Sequence, residues 1–133
     1  MKMKKFLLMA TMLLTCGIVN AQKIADVQNG GKLQICDLTS SNYKSNCRTA
    51  ESSGVAVASI GNSKVAILYT TGKLSVCDIS SSNYTSSCRT VESSGVSNVQ
   101  MSGDSKIIIT YDNGKKKACE ISSSNYTSNC RSL

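Results

Sequence analysis

Apolar and polar residues fall in short blocks along most of the chain, and only the N-terminus carries a long apolar stretch. Lys64–Tyr69 reads KVAILY and Lys106–Tyr111 reads KIIITY, each a strand-length run rich in β-branched residues. A glycine turn follows each run, Thr71-Gly72 or Asp112-Asn113-Gly114, and Asn29-Gly30-Gly31 occupies the matching place upstream. Asn-Gly supplies the positive φ angles of a tight hairpin turn. A second strand then follows, Lys73–Ile79 in the middle of the chain, and after it a polar loop, Ser80–Ser87. A short strand near Arg89–Glu92 and another over Val96–Met101 complete the unit before the turn Ser102-Gly103-Asp104-Ser105. No segment beyond the N-terminus has a helical period, so the pattern predicts an all-β chain with four short strands per unit.

These units repeat. Gly31–Gly54 reads GKLQICDLTSSNYKSNCRTAESSG, and Gly72–Gly95 reads GKLSVCDISSSNYTSSCRTVESSG. A third version begins at Gly114 as GKKKACEISSSNYTSNCRSL. The spacing of about 41 residues divides the chain into repeats over 22–53, 54–94 and 95–133. Repeat one begins at Lys23-Ile24, which aligns with Lys64-Val65, so it lacks the first strand of the unit.

The N-terminus stands apart. A basic start, Met1-Lys2-Met3-Lys4-Lys5, precedes the apolar stretch Phe6–Leu14, and Val19-Asn20-Ala21 offers the small-x-small pattern cut by signal peptidases. Residues 1–21 read as a secretory signal and 22–133 as a single β-repeat domain. The alternative is lipoprotein processing at Cys16, although Thr15 fits poorly before it. The expected location is secreted or periplasmic, with no integral membrane segment, because the apolar stretch is too short to span a bilayer. Loss of Lys2, Lys4 and Lys5 lowers the formal net charge from +7 to +4, a mild excess.

Export leaves six of the seven cysteines. They obey the repeat: Cys36 and Cys47, Cys77 and Cys88, and Cys119 and Cys130 share one spacing. Equivalent units should form equivalent local bonds, which selects these three disulfides among the possible pairings. Each loop of this size removes roughly 3 kcal/mol of unfolded-state freedom on the chain-entropy model. That matters for a core without Trp, and without Phe beyond the signal. The spacing suits neither zinc nor redox chemistry, and the chain has no histidine, so no metal or cofactor is expected.

With its strands laid out, Val96–Ile121 (VSNVQMSGDSKIIITYDNGKKKACEI) resembles a β-propeller blade of the WD-repeat kind, as does Val55–Ile79. In Val96–Ile121 the features that carry the resemblance are V-x-x-V, a Ser-Gly-Asp turn, an apolar strand, a glycine turn, and a strand ending in an acidic residue. Cys36-Asp37, Cys77-Asp78 and Cys119-Glu120 stand where such blades carry Trp-Asp, and the Gly-His signature is absent. The resemblance implies stacked four-stranded blades; a β-trefoil is the alternative closure of three units. Propellers share no single chemistry, so no functional residue carries over. Fewer than three full blades cannot close a ring. The chain is therefore expected to self-associate, a closed dimer being the simplest form.

The most distinctive polar segment is the loop repeated at 39–45, 80–86 and 122–128. Its Asn42 and Tyr43, Asn83 and Tyr84, and Asn125 and Tyr126 are candidate binding residues for a protein or glycan ligand, since Tyr, Ser and Asn make adaptable contact surfaces. The competing reading is turn chemistry with the tyrosines packed against the disulfide. Asn83-Tyr84-Thr85 and Asn125-Tyr126-Thr127 also match a glycosylation acceptor. Lys115-Lys116-Lys117 reads as an anion-binding patch or as charge guarding a sheet edge. Arg48, Arg89 and Arg131 read as solvated, and Asp37, Asp78 and Glu120 as equivalent acids that do not converge. Serines without a base give no catalytic residue, and the missing basic stripe and stacking aromatics argue against nucleic acid. The expectation is a secreted, non-catalytic binding or structural module; the alternative is an exported enzyme inhibitor, or an enzyme whose site forms on assembly.

Overall fold

The computed structural model describes residues 22–133; the signal-sequence reading and Cys16 lie outside the described residues. Eleven strands form three antiparallel meanders. The first sheet holds β1 (Gln22–Val27), β2 (Leu33–Leu38) and β3 (Lys44–Glu51). The middle sheet holds β4 (Val55–Ile60), β5 (Lys64–Tyr69), β6 (Leu74–Ile79) and β7 (Thr85–Glu92), in that order across the sheet. The third holds β8 (Val96–Ser102), β9 (Lys106–Tyr111), β10 (Lys116–Ile121) and β11 (Thr127–Ser132). Each four-stranded sheet is one repeat, and the first sheet lacks the counterpart of β4 and β8 among the described residues. The strands divide among three separate sheets, which excludes the trefoil's shared closure.

The sheets stack face to face, and strand alternation assigns the side chains. Val65, Ile67, Cys77 and Ile79 point from the middle sheet toward the first, where Leu33 and Ile35 meet them. Their neighbours Ala66, Leu68, Leu74 and Val76 point the other way, into a cluster with Val99, Met101, Ile107, Ile109 and Cys119 of the third sheet. Burial on both faces is why β5 reads as an unbroken apolar run. The backbone also joins the stack: Val96 N–H donates to the Gly72 carbonyl at 3.2 Å. A Cβ on Gly72 would lie 2.9 Å from the Gly95 nitrogen, so that approach excludes a side chain.

Two local expectations need correction. At the third hairpin only Gly114 has positive φ, at 85°, and its N–H donates to the Tyr111 carbonyl at 2.9 Å. This is a turn ending in one left-handed glycine, not a pair of positive-φ residues. The outer strand β7 begins at Thr85 and not near Arg89. An outermost strand with exposed side chains needs no apolar signature, so pattern alone misplaces its start.

The disulfides join Cys36 to Cys47, Cys77 to Cys88 and Cys119 to Cys130. Each crosses two neighbouring strands of one sheet at a β-bulge, where the pairing slips between Ile35 and Asp37, Val76 and Asp78, or Ala118 and Glu120. The extra residue, Asn46, Ser87 or Asn129, takes positive φ near 50°.

Candidate functional site

The repeated polar loop is built by turn chemistry. Asn83 N–H donates to the Ser80 carbonyl at 3.0 Å, Ser80 N–H donates to the Tyr84 carbonyl at 2.8 Å, and Tyr84 N–H donates to Ser80 Oγ at 3.0 Å. The same bonds recur at Ser122–Tyr126 and, with threonine, at Thr39–Tyr43. The closure places the asparagine at positive φ, 65° at Asn42 and 69° at Asn83 and Asn125, a conformation asparagine tolerates better than most residues.

That geometry aims the amide at the preceding sheet. Asn125 Nδ2 donates to the Ser87 carbonyl at 2.9 Å and to Asp78 Oδ1 at 3.1 Å, while its Oδ1 accepts from Lys64 Nζ at 2.5 Å. Lys64 Nζ also pairs with Asp78 at 2.6 Å and donates to the Ser123 carbonyl at 3.2 Å. One repeat earlier, Asn83 Nδ2 donates to the Asn46 carbonyl at 2.9 Å and to Asp37 at 3.2 Å, and its Oδ1 accepts from Lys23 Nζ at 2.6 Å. Lys23 pairs with Asp37 at 3.0 Å. Both asparagines are 1% exposed, which removes them as glycosylation acceptors in the folded chain.

Charge complementarity within these clusters is visible in the carboxylates. Asp78 is held below the ordinary carboxylate range, first by the hydrogen bond from Lys64 and then by that from Asn125, against the cost of burial. Asp37 is lowered too, chiefly by Asn46 and then by Lys23. Each acid thus meets a lysine of its own sheet and an amide from the next, and the two acids sit in separate joints. The arginines are likewise not simply solvated. Arg48 lies over the Tyr84 ring with its guanidinium carbon 4.3 Å from the centroid, and Arg89 lies over Tyr126 at 4.0 Å. Arg89 Nε also donates to the Ser124 carbonyl at 2.8 Å. Lysine, acid and arginine recur in phase with the cysteines, a signal that the repeat itself carries.

The equivalent residues do not share one fate. Asn83, Tyr84, Asn125 and Tyr126 are engaged between sheets. Asn42 and Tyr43 belong to the first loop and are exposed, Tyr43 at 73%; Tyr84 and Tyr126 are also more than half exposed, so the contrast lies in the buried asparagines and the arginines over the two rings. The lysine run divides as well. Lys115 lies in the turn before β10, and Lys116 and Lys117 lie on β10, an inner strand of its sheet, where they guard no edge. Lys117 pairs with Glu92 of the middle sheet at 3.4 Å and sits 5.4 Å from the Tyr111 ring, whereas Lys116 projects on the opposite face. A further joint lies at the turns: Asp104 carboxylate oxygens accept from Asn62 N–H at 2.7 Å and from Ser63 Oγ at 2.8 Å. Burial opposes ionisation of Asp104, but the Ser63 and Asn62 donors outweigh it and its pKa is lowered.

No helix among the described residues is long and apolar enough to cross a membrane. No protein-family model matches the chain, and no curated protein matches it.

Proposed function

We propose that this chain is an exported, disulfide-stapled array of propeller-like blades that acts as a non-catalytic structural or binding module. One observation carries the reading. The asparagines of the second and third Asn–Tyr loops, with their lysine and acid neighbours, are buried in joining one sheet to the next, while Tyr84 and Tyr126 stack beneath arginines and stay more than half exposed. Their chemistry is that of a repeated joint. Export is supported by the three intrachain disulfides, which persist in oxidising compartments.

The test is the full chain, secreted and kept oxidised, in a panel of hydrolase substrates and on a glycan array. The expected result is no turnover. Turnover proportional to protein concentration, with no binding to glycan or protein, overturns the module reading and favours the enzyme alternative. Mass spectrometry of the same material should find Gln22 as the first residue.

A further inference from the structure

We propose that the two outer faces of the stack are the two halves of a docking site for a second copy of this chain, with Asn42 and Tyr43 of one copy seating on Lys106, Glu120 and Arg131 of another. The inference rests on reading the repeated loops as inter-sheet joints. Each joint has a receiving half, consisting of a lysine, an acid, a bulge carbonyl and an arginine, and an entering half, consisting of an asparagine and a tyrosine. Two joints are complete within the chain. The third receiving half stands open on the outer face of the third sheet. Lys106 is the counterpart of Lys64, Glu120 of Asp78, Asn129 of Ser87 and Arg131 of Arg89, and all four are exposed. Asn129 Nδ2 already donates to Glu120 at 3.1 Å, as Asn46 does to Asp37 at 3.0 Å, so the acid is held as it is in the first joint. These residues rim a hollow of about 650 Å³. The matching hollow on the middle sheet, about 390 Å³, is bordered by Ser123 and Ser124 of the next loop.

The unmatched entering half stands at the opposite end. The Thr39–Tyr43 loop has the same turn bonds and the same positive φ at Asn42 as its two engaged relatives. One chain therefore carries one surplus of each half, on opposite outer faces.

A separate observation identifies the occupant as another copy. The apolar contacts between sheets include Leu33 and Leu74 on the receiving faces and Ile67 and Ile109 on the entering faces. At the open receiving face the leucine position is Lys116, and at the open entering face the isoleucine position is Asp26. Both outer faces have exchanged an apolar residue for a charge of opposite sign, Asp26 being paired with Lys44 of its own sheet at 2.9 Å. Free in solution such faces resist indiscriminate sticking, and docked head to tail they set the Asp26–Lys44 pair of one copy beside Lys116 of the other. Contacts of this kind close into rings or extend as filaments. The described residues form three sheets, fewer than the four blades of the smallest propeller, and two copies would supply six.

The experiment uses the full oxidised chain in sedimentation velocity across micromolar concentrations. The entering-half variant is Asn42→Gly with Tyr43→Ala, since glycine keeps the positive φ. The receiving-half variant is Lys106→Ala with Arg131→Ala. Wild type should associate. Each variant alone should dissociate at least about 100-fold more readily, because a truncated partner leaves charged groups unpaired. An equimolar mixture of the two variants should form a 1:1 heterodimer, because each retains the half that the other lacks. Unchanged circular dichroism and disulfide maps establish that the variants fold. A wild type that stays monomeric, variants that associate as wild type does, or a mixture that stays monomeric overturns the proposal. The first of these outcomes leaves the module reading intact, whereas enzymatic turnover with association preserved overturns only the module reading.

Discussion

Replacing Asn125 by glycine tests whether the buried joint stabilises the stack. Glycine accepts the 69° φ without strain, so the change isolates the side chain. The amide makes three contacts: a donor bond to Asp78, a donor bond to the Ser87 carbonyl, and an acceptor bond from Lys64. Hydrogen bonds to charged partners are worth about 1.5–3 kcal/mol each and a neutral one about 1 kcal/mol, but such networks are not additive. Lys64 keeps its pairing with Asp78 at 2.6 Å, which limits the loss. The expected destabilisation is therefore about 2–4 kcal/mol. At a slope of about 2 kcal/mol per molar urea, the midpoint should fall by roughly 1–2 M. The control is Asn42→Gly, the same change at the exposed loop, measured at a dilution where the chain is monomeric. It should stay within about 0.5 kcal/mol of wild type. Asn125→Ala should cost about 1 kcal/mol more than Asn125→Gly, because alanine is strained at positive φ. Equal midpoints for Asn125→Gly and Asn42→Gly would refute the view that burial between sheets, and not turn geometry, gives the asparagine its role. An altered slope would mean that the sheets no longer unfold together.

Removing one staple with Cys77→Ser and Cys88→Ser should cost about 3 kcal/mol on the chain-entropy model, read from urea unfolding of the otherwise oxidised chain. A loss near zero would mean that the cross-strand bulge already restrains the unfolded hairpin. Acid should weaken the joints. Asp37 and Asp78 have folded-state pKa values below their unfolded values, so their contribution is complete above the ordinary carboxylate range and is lost as pH falls through the lowered folded values. Melting temperature followed from neutral pH into acid should drop on that limb, and D37N/D78N should flatten the drop; an unchanged slope in that variant would assign the acid sensitivity to other carboxylates.

The parts of this fold that could be read in advance are those where burial acts on one strand at a time. KVAILY and KIIITY declare themselves because a strand packed on one or both faces must be apolar, and the glycine turns mark their ends. The joints were harder to see because each depends on two repeats at once. Lys64 at the start of a strand looks solvated; it is buried only because Asp78 meets it within its own sheet and Asn125 from the next. Asn83 announces a turn, yet nothing in its own loop says where the amide points. The lysine and its acid stand 14 residues apart in both complete joints, so the constellation was periodic but fell across elements that local reading treats separately.

Departures from the repeat carry different information from its constancies. In a stacked array each unit contacts only its neighbours, so an interior sheet is stabilised on two faces and a terminal sheet on one. Val65 and Ile107, apolar at one repeat position, each pack into the cluster between a sheet and the one before it. Positions where only a terminal sheet changes report what that end meets. A terminal face meeting water alone gains from any polar residue, so the sign of the charge would be arbitrary at each end. Here one end took an acid, paired with Lys44, at the isoleucine position and the other a lysine at the leucine position, while the bulge, the arginine and the Asn–Tyr pair were kept where they meet no neighbouring sheet among the described residues. Solubility accounts for charge at both ends, but not for an intact receiving half at one end and an intact entering half at the other. On the proposed docking between copies, both halves are required.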